Sequence, residues 1–395
     1  MTSHARSRDW QLECSACGKT ESPDGLPTVC PCGLPWLVRY PDRSWPPALK
    51  TDLQVRRGLW RFREFLPITA DETPVTLGEG DTPLLRLGRS ARRWGFSDLW
   101  MKDEAANPTG SFKARGLSAA VTRASLAGVT SFTLPTAGNA GVAASAYGAR
   151  AGARVRVFAP STTPATILTQ IVTFGAELVL LEGHIGDCGR AARAWAAESN
   201  SFDLSTLREP YRIEGKKTLG LELALQLDWT LPDAIIYPTG GGTGLIGMWK
   251  AFNELADAGW VEKGRFPKMF SVQSAGCAPV VEAFDHGATE CAPWPEPATR
   301  ASGLRVPHPL GGRLILEALA ESGGAAVAVA DERLAEFERS LARDEGIDLS
   351  PEGAATVAAL IELESRGLVD RHERIVLFNT GAGWLYRDPA SLPGS

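Results

Sequence analysis

Four short apolar segments, each followed directly by a polar or glycine-rich turn, constrain this 395-residue chain most strongly. Apolar runs bounded by turn residues predict strands. The predicted strands are 99–103, 131–134, 234–237 and 374–378. Because ligands bind beyond the carboxyl ends of the strands in open α/β sheets, the four turns are expected to converge on one pocket.

The first turn places a lysine at the start of a helix. A Pro/Thr/Gly turn at 107–110 precedes Lys113, and a small, apolar helix is predicted from Ala114 to Leu126. An ammonium group at the positive end of a helix macrodipole is disfavoured, which favours the neutral, nucleophilic amine. Lys113 is therefore interpreted as a Schiff-base nucleophile; the alternative is a solvated surface lysine.

The third turn is the glycine run Gly240-Gly241-Gly242-Thr243-Gly244, which lies between a predicted strand and a helix expected to begin at Leu245. Glycines leave room for backbone N–H groups to approach a phosphate at a helix N-terminus. A flexible turn is the alternative interpretation. The strand before the run and the helix after it favour an anion site.

The second and fourth turns each offer one polar side chain. Asn139 stands in Gly138-Asn139-Ala140-Gly141, and Thr380 precedes Gly381. Asn139 could be a helix N-cap, and Thr380 could cap a turn. Either side chain could instead contact a ligand held between the turns.

Together these motifs resemble the fold-type II pyridoxal phosphate enzymes, and within that group the threonine synthase branch. The resemblance runs from about Thr76 to Gly383. Residues 78–84 resemble the opening signature of the family, and residues 211–218 resemble a segment typical of the threonine synthase branch. It implies an α/β fold with two lobes, in which helices flank parallel-rich sheets.

The resemblance also implies roles at the cofactor. Lys113 would form a Schiff base with pyridoxal 5'-phosphate, and Asn139 would bond the phenolic oxygen of the cofactor. The hydroxyl of Thr380 would face the pyridine nitrogen, where a neutral partner disfavours transamination. The cofactor phosphate would lie against Gly240, Gly241, Gly242, Thr243 and Gly244.

The function implied is that of a lyase converting O-phosphohomoserine and water to L-threonine and phosphate. Lys113 would remove the Cα proton after releasing the cofactor. The same resemblance places the substrate carboxylate near Thr136 and the substrate phosphate near Arg212, whose guanidinium can make paired bonds to oxyanions. Thr82 and Ser111 would assist as hydroxyl donors.

Arg212 has a plainer interpretation as a surface residue that pairs with Glu209 or Glu214. Lys216 and Lys217 are expected to be solvated helix charges. These alternatives remain open because sequence spacing alone does not reveal burial.

Two departures from the threonine synthase pattern raise an alternative function. Ala114 follows the lysine where aspartate is usual, and residues 205–210 lack the asparagines that normally precede the arginine. These differences fit a dehydratase or β-eliminase, or a β-replacement enzyme, acting on threonine, serine or an O-activated serine. A non-catalytic scaffold is the hypothesis from another class, but retention of the cofactor motifs favours an enzyme.

Two close cysteine pairs near the N-terminus resemble a zinc ribbon, which relatives of threonine synthase often carry. The pairs are Cys14 with Cys17 and Cys30 with Cys32. Four thiolates could coordinate structural zinc tetrahedrally and close a segment too short to form a core. The second pair has one residue fewer than a usual knuckle, and unliganded thiols are the alternative.

The expected organisation is a zinc-ribbon-like extension over 1–45 and a pyridoxal-phosphate-dependent catalytic domain over 46–395. Within the catalytic domain, residues of about 129–203 form the smaller lobe, and the remainder forms the larger lobe. The substrate is expected to bind between the lobes.

The charge and hydropathy patterns exclude several classes of partner. A net charge of −5, a pI near 5.7 and dispersed basic residues argue against nucleic-acid binding. No apolar run could span a bilayer, and residues 1–9 lack the apolar core of a signal peptide. A cytoplasmic enzyme for a small amino-acid substrate is expected, and the family resemblance implies a homodimer.

Overall fold

The computed structural model describes residues 9–387 and builds them from three β-sheets flanked by helices. The strands are β1 (Gln11–Cys14), β2 (Thr20–Glu21), β3 (Trp36–Arg39), β4 (Leu84–Arg86), β5 (Asp98–Asp103), β6 (Ser131–Pro135), β7 (Arg154–Pro160), β8 (Glu177–Leu181), β9 (Phe202–Asp203), β10 (Ala234–Pro238), β11 (Lys268–Ser274), β12 (Ala325–Val329) and β13 (Arg374–Asn379). The helices are α1 (Leu49–Val55), α2 (Gly88–Trp94), α3 (Lys113–Leu126), α4 (Asn139–Arg150), α5 (Ala165–Thr173), α6 (Ile185–Ser199), α7 (Tyr211–Gln226), α8 (Thr243–Asp257), α9 (Pro279–Asp285), α10 (Gly312–Ser322), α11 (Leu334–Glu345) and α12 (Pro351–Ser365).

The largest sheet has six strands in the order β12-β11-β10-β13-β5-β4. Every neighbouring pair is parallel except β4 and β5, which are antiparallel. Three of the four strands predicted to lead into functional turns, β5, β10 and β13, are neighbours in this sheet. Their carboxyl ends therefore lie along one edge.

The second sheet is entirely parallel and has the order β8-β7-β6-β9. It contains β6, the fourth of those strands. Helices α3 and α4 share a hydrophobic core with β6 and β7, to which Leu117, Val121, Val142 and Phe132 contribute buried side chains. The expected α/β architecture with parallel-rich sheets is confirmed.

Predicted and observed elements agree closely along this part of the chain. The main difference is α8, which begins at Thr243 rather than at Leu245. Gly242 is the N-cap and has φ of 73°, a left-handed conformation that glycine adopts without steric cost. The helix can therefore start directly inside the glycine run.

The N-terminal sheet, in the order β2-β1-β3, is antiparallel and packs against the rest of the structure. Leu12 and Val38 are fully buried in the same core as Leu117 and Val121 of α3. Tyr40, just after β3, donates a hydrogen bond of 2.6 Å from its hydroxyl to Glu214 of α7. The cysteine-bearing segment is thus fixed to helices that border the functional turns.

Helices α3 and α7 cross at very short range because both carry glycine at the crossing. A Cβ atom on Gly215 would lie 2.1 Å from the carbonyl oxygen of Arg115, and one on Gly116 would lie 3.1 Å from that of Arg212. Side chains in the first turns of α7 are therefore brought against the start of α3.

Candidate active site

The turns after β5 and β13 meet at the start of α3. The backbone N–H of Phe112 donates to the carbonyl oxygen of Thr380 at 3.0 Å, and Ser111 and Gly381 form an isolated antiparallel bridge. Lys113, the first residue of α3, follows directly. The predicted convergence of these two turns is confirmed.

Lys113 is half-buried, with its Nζ 4.2 Å from the centroid of the Phe112 ring. Burial lowers the pKa of its amine to about 7, with Arg212 lowering it further and the carboxylate of Glu352 opposing the shift. The interpretation of Lys113 as a solvated surface lysine is therefore wrong. Near neutral pH a large fraction of this amine is unprotonated and nucleophilic.

Arg212 lies in the first turn of α7 and is only 2% exposed. Its Nη1 donates to the carbonyl oxygen of Leu204 at 2.7 Å, while its Nε has no hydrogen-bond partner among the described residues. The expectation of a surface ion pair is wrong, because the close crossing of α3 and α7 buries this guanidinium. The free N–H leaves Arg212 able to bind an anion.

Lys216, one turn further along α7, is completely buried. Its Nζ donates to the carbonyl oxygen of Phe112 and lies 3.7 Å from the centroid of the Phe112 ring. Burial lowers the pKa of Lys216 well below its usual value, and the charges of Lys113 and Arg212 add to that effect. We call Lys113, Arg212 and Lys216 the cationic cluster.

Lys217 is also fully buried, so the prediction that Lys216 and Lys217 are solvated is wrong for both residues. The Nζ of Lys217 lies 2.7 Å from Glu214 and 2.9 Å from Glu254. This pairing connects α7 to α8. Because carboxylates compensate its charge, Lys217 is not part of the cationic cluster.

A second buried group of charges lies beside α3, formed by Lys102, Glu104, Arg115 and Glu222, all of them 0% exposed. Arg115 contacts Glu104 at 2.7 Å and Glu222 at 2.9 Å, and Lys102 contacts Glu222 at 2.6 Å. Two cations face two carboxylates, so we call this the balanced cluster. It ties β5, α3 and α7 together.

Thr82 lies in the balanced cluster. Its hydroxyl donates to Glu104 at 2.5 Å and accepts from Arg115 at 3.0 Å. Ser111, by contrast, lies in the turn before Lys113, and its buried hydroxyl has no hydrogen-bond partner among residues 9–387. Of the two hydroxyls predicted to assist a substrate, only that of Ser111 is free to do so.

The glycine run after β10 leads directly into the first turn of α8. Its packing leaves no room for side chains: a Cβ atom on Gly240 would lie 2.1 Å from the carbonyl oxygen of Gly303, and one on Gly244 1.9 Å from the hydroxyl of Tyr237. The first N–H groups of a helix have no partner within the helix. Gly240 to Gly244 therefore form a backbone surface suited to an anion.

Asn139 is the first residue of α4 and Gly138 is the N-cap, so the interpretation of Asn139 as the cap is wrong. The Nδ2 of Asn139 donates to the hydroxyl of Tyr386 at 3.1 Å, while its buried Oδ1 has no partner among the described residues. A Cβ atom on Gly381 would lie 3.0 Å from this Nδ2. The turn after β6 thus faces the turn after β13.

Thr136 uses its hydroxyl within its own turn. The oxygen accepts from the N–H groups of Gly138 at 3.1 Å and Gly141 at 3.0 Å and donates to the Gly138 carbonyl. It thereby shapes the N-terminus of α4, where backbone N–H groups favour a carboxylate.

The four N-terminal cysteines come together. Their sulfur atoms all lie within 4.8 Å of one another, and the Cys14–Cys32 and Cys17–Cys30 sulfur pairs are 3.4 and 3.6 Å apart. The two predicted pairs therefore form one cluster of four possible ligands.

Sequence reasoning did not identify Ser302, Glu352 and Tyr386, which lie around Asn139. Glu352 stands in the first turn of α12, where an acidic residue is ordinarily explained by the helix macrodipole. Ser302 lies outside every helix and strand, in a stretch where the sequence shows no motif. For Tyr386 the sequence carries no signal, because its position depends on how the chain continues after Thr380.

Between residues 9 and 387, every helix is too short or too polar to cross a bilayer.

Comparison with known proteins supports one family. The sequence profile described as "Pyridoxal-phosphate dependent enzyme" matches residues 75–381. The chain is 36% identical over 379 residues to a threonine synthase of Methanocaldococcus jannaschii, which covers 95% of this chain and 92% of that protein. It is 35% identical over 331 residues to a threonine synthase of Mycobacterium bovis, covering 83% and 88% respectively.

Solved structures agree on the fold. A threonine deaminase from T.th. superposes with a TM-score of 0.65 at 24% identity, covering 78% of this chain and 93% of that one. An L-serine ammonia-lyase from Rhizomucor miehei gives a TM-score of 0.66 at 22% identity, covering 78% and 95%. At these identities the likeness concerns the fold alone.

Proposed function

The chain belongs to the family of pyridoxal-phosphate-dependent enzymes, and on that premise we propose that it is a lyase that converts O-phosphohomoserine and water to L-threonine and phosphate. Relatives named threonine synthase match most of its length. The observation that carries the proposal is the buried cationic cluster, in which Arg212 stands near the reactive amine of Lys113. Such a site suits an amino acid that bears a phosphate.

The residues present fit pyridoxal 5'-phosphate. Lys113 would hold the cofactor covalently through its unprotonated amine, and Gly240 to Gly244 would hold the phosphate. The Nδ2 of Asn139 has a second N–H besides the one given to Tyr386 and would donate it to the ring oxygen, and Thr380 would face the ring nitrogen. When bound, the cofactor supplies an electron sink for negative charge that develops at the substrate Cα.

Residues of the chain would then transfer the protons and bind the substrate. The Nζ of Lys113 takes the proton from Cα and moves a second proton from Cβ, which its pKa of about 7 suits near neutral pH. Arg212 holds the substrate phosphate with its free N–H. The N-terminus of α4, shaped by Thr136, orients the carboxylate, and Ser111 donates its hydroxyl.

Product analysis tests the reaction. Purified holoenzyme would receive O-phosphohomoserine, threonine, serine and O-phosphoserine in parallel. We expect threonine and phosphate from the first substrate alone. Ketoacid and ammonia from the others, with O-phosphohomoserine untouched, would instead establish the β-elimination alternative that Ala114 and residues 205–210 suggest.

The role of Arg212 has its own test. Replacing a guanidinium that makes charge-assisted bonds costs about 1.5–3 kcal/mol of binding, or roughly 10- to 100-fold in KM. We therefore expect Arg212→Ala to raise KM for O-phosphohomoserine and to abolish competition by inorganic phosphate. Arg212→Lys keeps the charge and should have a KM between those of the natural chain and Arg212→Ala. An unchanged KM in Arg212→Ala would refute the assignment.

We further propose that Cys14, Cys17, Cys30 and Cys32 hold structural zinc, because four clustered thiols match a tetrahedral site with Zn–S distances of about 2.3 Å. We expect one zinc per chain by elemental analysis. Cys17→Ser should lose the metal and lower the melting temperature, whereas Cys188→Ser, a buried thiol elsewhere in the chain, should keep it. Full zinc content in Cys17→Ser would contradict the proposal.

The organisation into an extension over 1–45 and a catalytic domain over 46–395, with a smaller lobe at about 129–203, is part of the same proposal. The separate antiparallel sheet β2-β1-β3 and the separate parallel sheet β8-β7-β6-β9 support these divisions. A homodimer is proposed from the family resemblance and a cytoplasmic location from the hydropathy pattern of the sequence, and sedimentation of the purified chain tests the dimer.

A further inference from the structure

The carboxylate of Glu209 is a buried polar group that no part of the proposed reaction uses. Glu209 stands two residues before the first residue of α7 and is 1% exposed. Its Oε2 accepts from the backbone N–H groups of Tyr211 at 2.7 Å and of Arg212 at 3.1 Å. Its Oε1 is buried and has no hydrogen-bond partner among the described residues. One oxygen thus fixes the side chain at the start of α7, and the other is left without a donor.

Arg212 has the complementary deficit. Its Nη1 donates to the carbonyl oxygen of Leu204 at 2.7 Å, whereas its Nε lacks an acceptor within residues 9–387. Because this Nε and the Oε1 of Glu209 both lack a partner, they do not bond to each other. A buried donor and a buried carboxylate oxygen each carry a desolvation cost until they are bonded. The two residues therefore suit a ligand group that accepts one hydrogen bond and donates another.

The segment from β9 to α7 borders the proposed cofactor and substrate sites. Thr206 lies against the glycine run, since its Cγ2 would be 3.0 Å from a Cβ atom on Gly241. Arg212 lies against the first turn of α3, since its Cβ would be 3.5 Å from a Cβ atom on Gly116. Glu209 is three residues from each of these contacts along the chain. It therefore lies at the border between the glycine run and the start of α3.

The surroundings of Glu209 make its protonation sensitive to pH near neutrality. Burial raises the pKa of Glu209 to about 7, while Arg212 and the two backbone hydrogen bonds oppose that shift. Asp203 of β9, which is itself buried, raises it further. Near neutral pH the Oε1 of Glu209 can therefore accept a proton from a ligand or carry one itself.

We propose that Glu209 is a specificity-determining residue: its free oxygen shares one proton with the terminal group of the substrate, while Arg212 donates a hydrogen bond to the same group. For O-phosphohomoserine that group is the phosphate, with one oxygen accepting from Arg212 and another joined to Glu209 through the proton. The inference deepens the proposed function and rests on it only in taking Arg212 as the residue that binds the terminal group.

The proton is required by the charges in the complex. A carboxylate and a doubly charged phosphate that face each other without a proton repel. The second pKa of a phosphate ester is about 6, so above about pH 7 neither the free ligand nor the free Glu209 carries the proton. Binding must then take up one proton from solution. The dissociation constant is therefore expected to rise about tenfold for each further pH unit.

Sulfate is a suitable probe because it is an oxyanion that carries no proton of its own near neutral pH. It can bind beside Glu209 only when that carboxyl is protonated. In the holoenzyme the cofactor phosphate would occupy the glycine run, so sulfate reports on the site at Arg212. Titration calorimetry of the full-chain holoenzyme with sulfate, from about pH 6 to about pH 9, measures the dissociation constant. Two buffers of different ionisation enthalpy give the number of protons taken up.

For the natural chain we expect the dissociation constant for sulfate to rise about tenfold per unit above about pH 7. About one proton should be taken up for each sulfate bound at the alkaline end of the series. Arg212→Ala should lose sulfate binding at every pH, because the donor is gone.

Glu209→Gln changes only the free oxygen. The amide oxygen can still accept from the N–H groups of Tyr211 and Arg212, and the amide nitrogen replaces Oε1 as a donor. We expect sulfate binding to become nearly independent of pH and the proton uptake to disappear. At about pH 9, two units above the pKa of Glu209, the variant should bind sulfate about 100-fold more tightly than the natural chain.

Glu345 provides a matched control outside the site. Its Oε1 accepts from the backbone N–H groups of Arg89 at 2.9 Å and Ser90 at 2.6 Å in the first turn of α2, as the Oε2 of Glu209 does at α7. Glu345→Gln should keep the pH dependence of the natural chain. Lys216→Met removes another titratable group of the cationic cluster and should keep the proton uptake.

Three results would overturn the proposal. They are a dissociation constant for sulfate that does not change with pH in the natural chain, proton uptake that persists in Glu209→Gln, and absence of sulfate binding in both chains. Failure to use O-phosphohomoserine, with the proton uptake through Glu209 intact, would refute the proposed reaction and leave this inference standing.

Discussion

The balanced cluster and the cationic cluster differ in electrostatic balance, although both contain residues of α3 and α7. In the balanced cluster, Lys102 and Arg115 face two carboxylates at 2.6 to 2.9 Å. In the cationic cluster, Lys216 bonds only a backbone carbonyl, and the Nε of Arg212 lacks a partner within residues 9–387. The comparison separates charges that carboxylates compensate from charges that, in the proposed function, bind a ligand.

The pKa shifts express the same difference. Within the balanced cluster, Arg115 and Lys102 hold the pKa of Glu222 well below its usual range, and the carboxylates raise that of Arg115. In the cationic cluster, burial lowers the pKa of both Lys113 and Lys216. Glu352 and Glu209 oppose the lowered pKa values of Lys113 and Arg212 only in part, and an anionic ligand would add compensation.

The largest effect is expected from Lys113→Ala. Turnover should be abolished, since in the proposed reaction the Lys113 amine both holds the cofactor and moves the proton. The fold should persist, because the variant removes a group that is only half-buried and has no carboxylate bonded to it among the described residues. Steady-state assays, the visible absorbance of bound cofactor and the melting temperature measure the three outcomes, and retained turnover would refute the central assignment.

The next largest effect is a contrast between Lys102→Met and Lys216→Met, two identical changes at fully buried positions. Lys102→Met leaves Glu222 with one cation fewer and should cost about 3 kcal/mol of unfolding free energy, as breaking buried pairs does. Lys216→Met leaves no carboxylate of the described chain unpaired, and the Phe112 carbonyl keeps its bond from the N–H of Arg115. It should cost less than about 1 kcal/mol.

Urea unfolding of the two variants measures this contrast directly. Arg115→Met serves as a second probe of the balanced cluster and should resemble Lys102→Met. Equal losses of unfolding free energy in Lys102→Met and Lys216→Met would contradict the distinction between the two clusters.

The smallest expected effect is on acid stability. The pKa values of Glu104 and Glu222 are lower in the folded chain than their ordinary value of 4.5, so the folded state binds fewer protons. Their contribution to stability is therefore fully present above pH 4.5 and is lost as the pH falls below it. Glu222→Gln should flatten this acid dependence, and an unchanged slope would contradict the sign assigned.

Several functional residues could be predicted because their local sequence determines their position. Lys113 follows a Pro/Thr/Gly turn, and the glycine run stands between β10 and α8, so both lie at the carboxyl edge of the sheet once the strands are identified. The cysteine pairs were equally recognisable from their spacing. Their roles toward the cofactor and zinc stay predictions.

Other residues differ from the prediction because burial is not a local property. Arg212, Lys216 and Lys217 appear as charged residues on one helix, and solvent exposure is the usual state of such residues. The crossing at Gly116 and Gly215 buries them instead. No spacing within α7 reveals that crossing, because it depends on a glycine in a different helix.

The sequence by itself determined the elements that carry the chemistry, because turns, glycines and apolar periodicity act over a few residues. The tertiary structure alone decided which charges are compensated. Glu352 and Tyr386 reach the site from segments more than two hundred residues beyond Lys113, and Coulomb interactions depend on distance in space and on burial rather than on separation along the chain. The reactive amine is therefore located by local sequence, and its protonation is set by the fold.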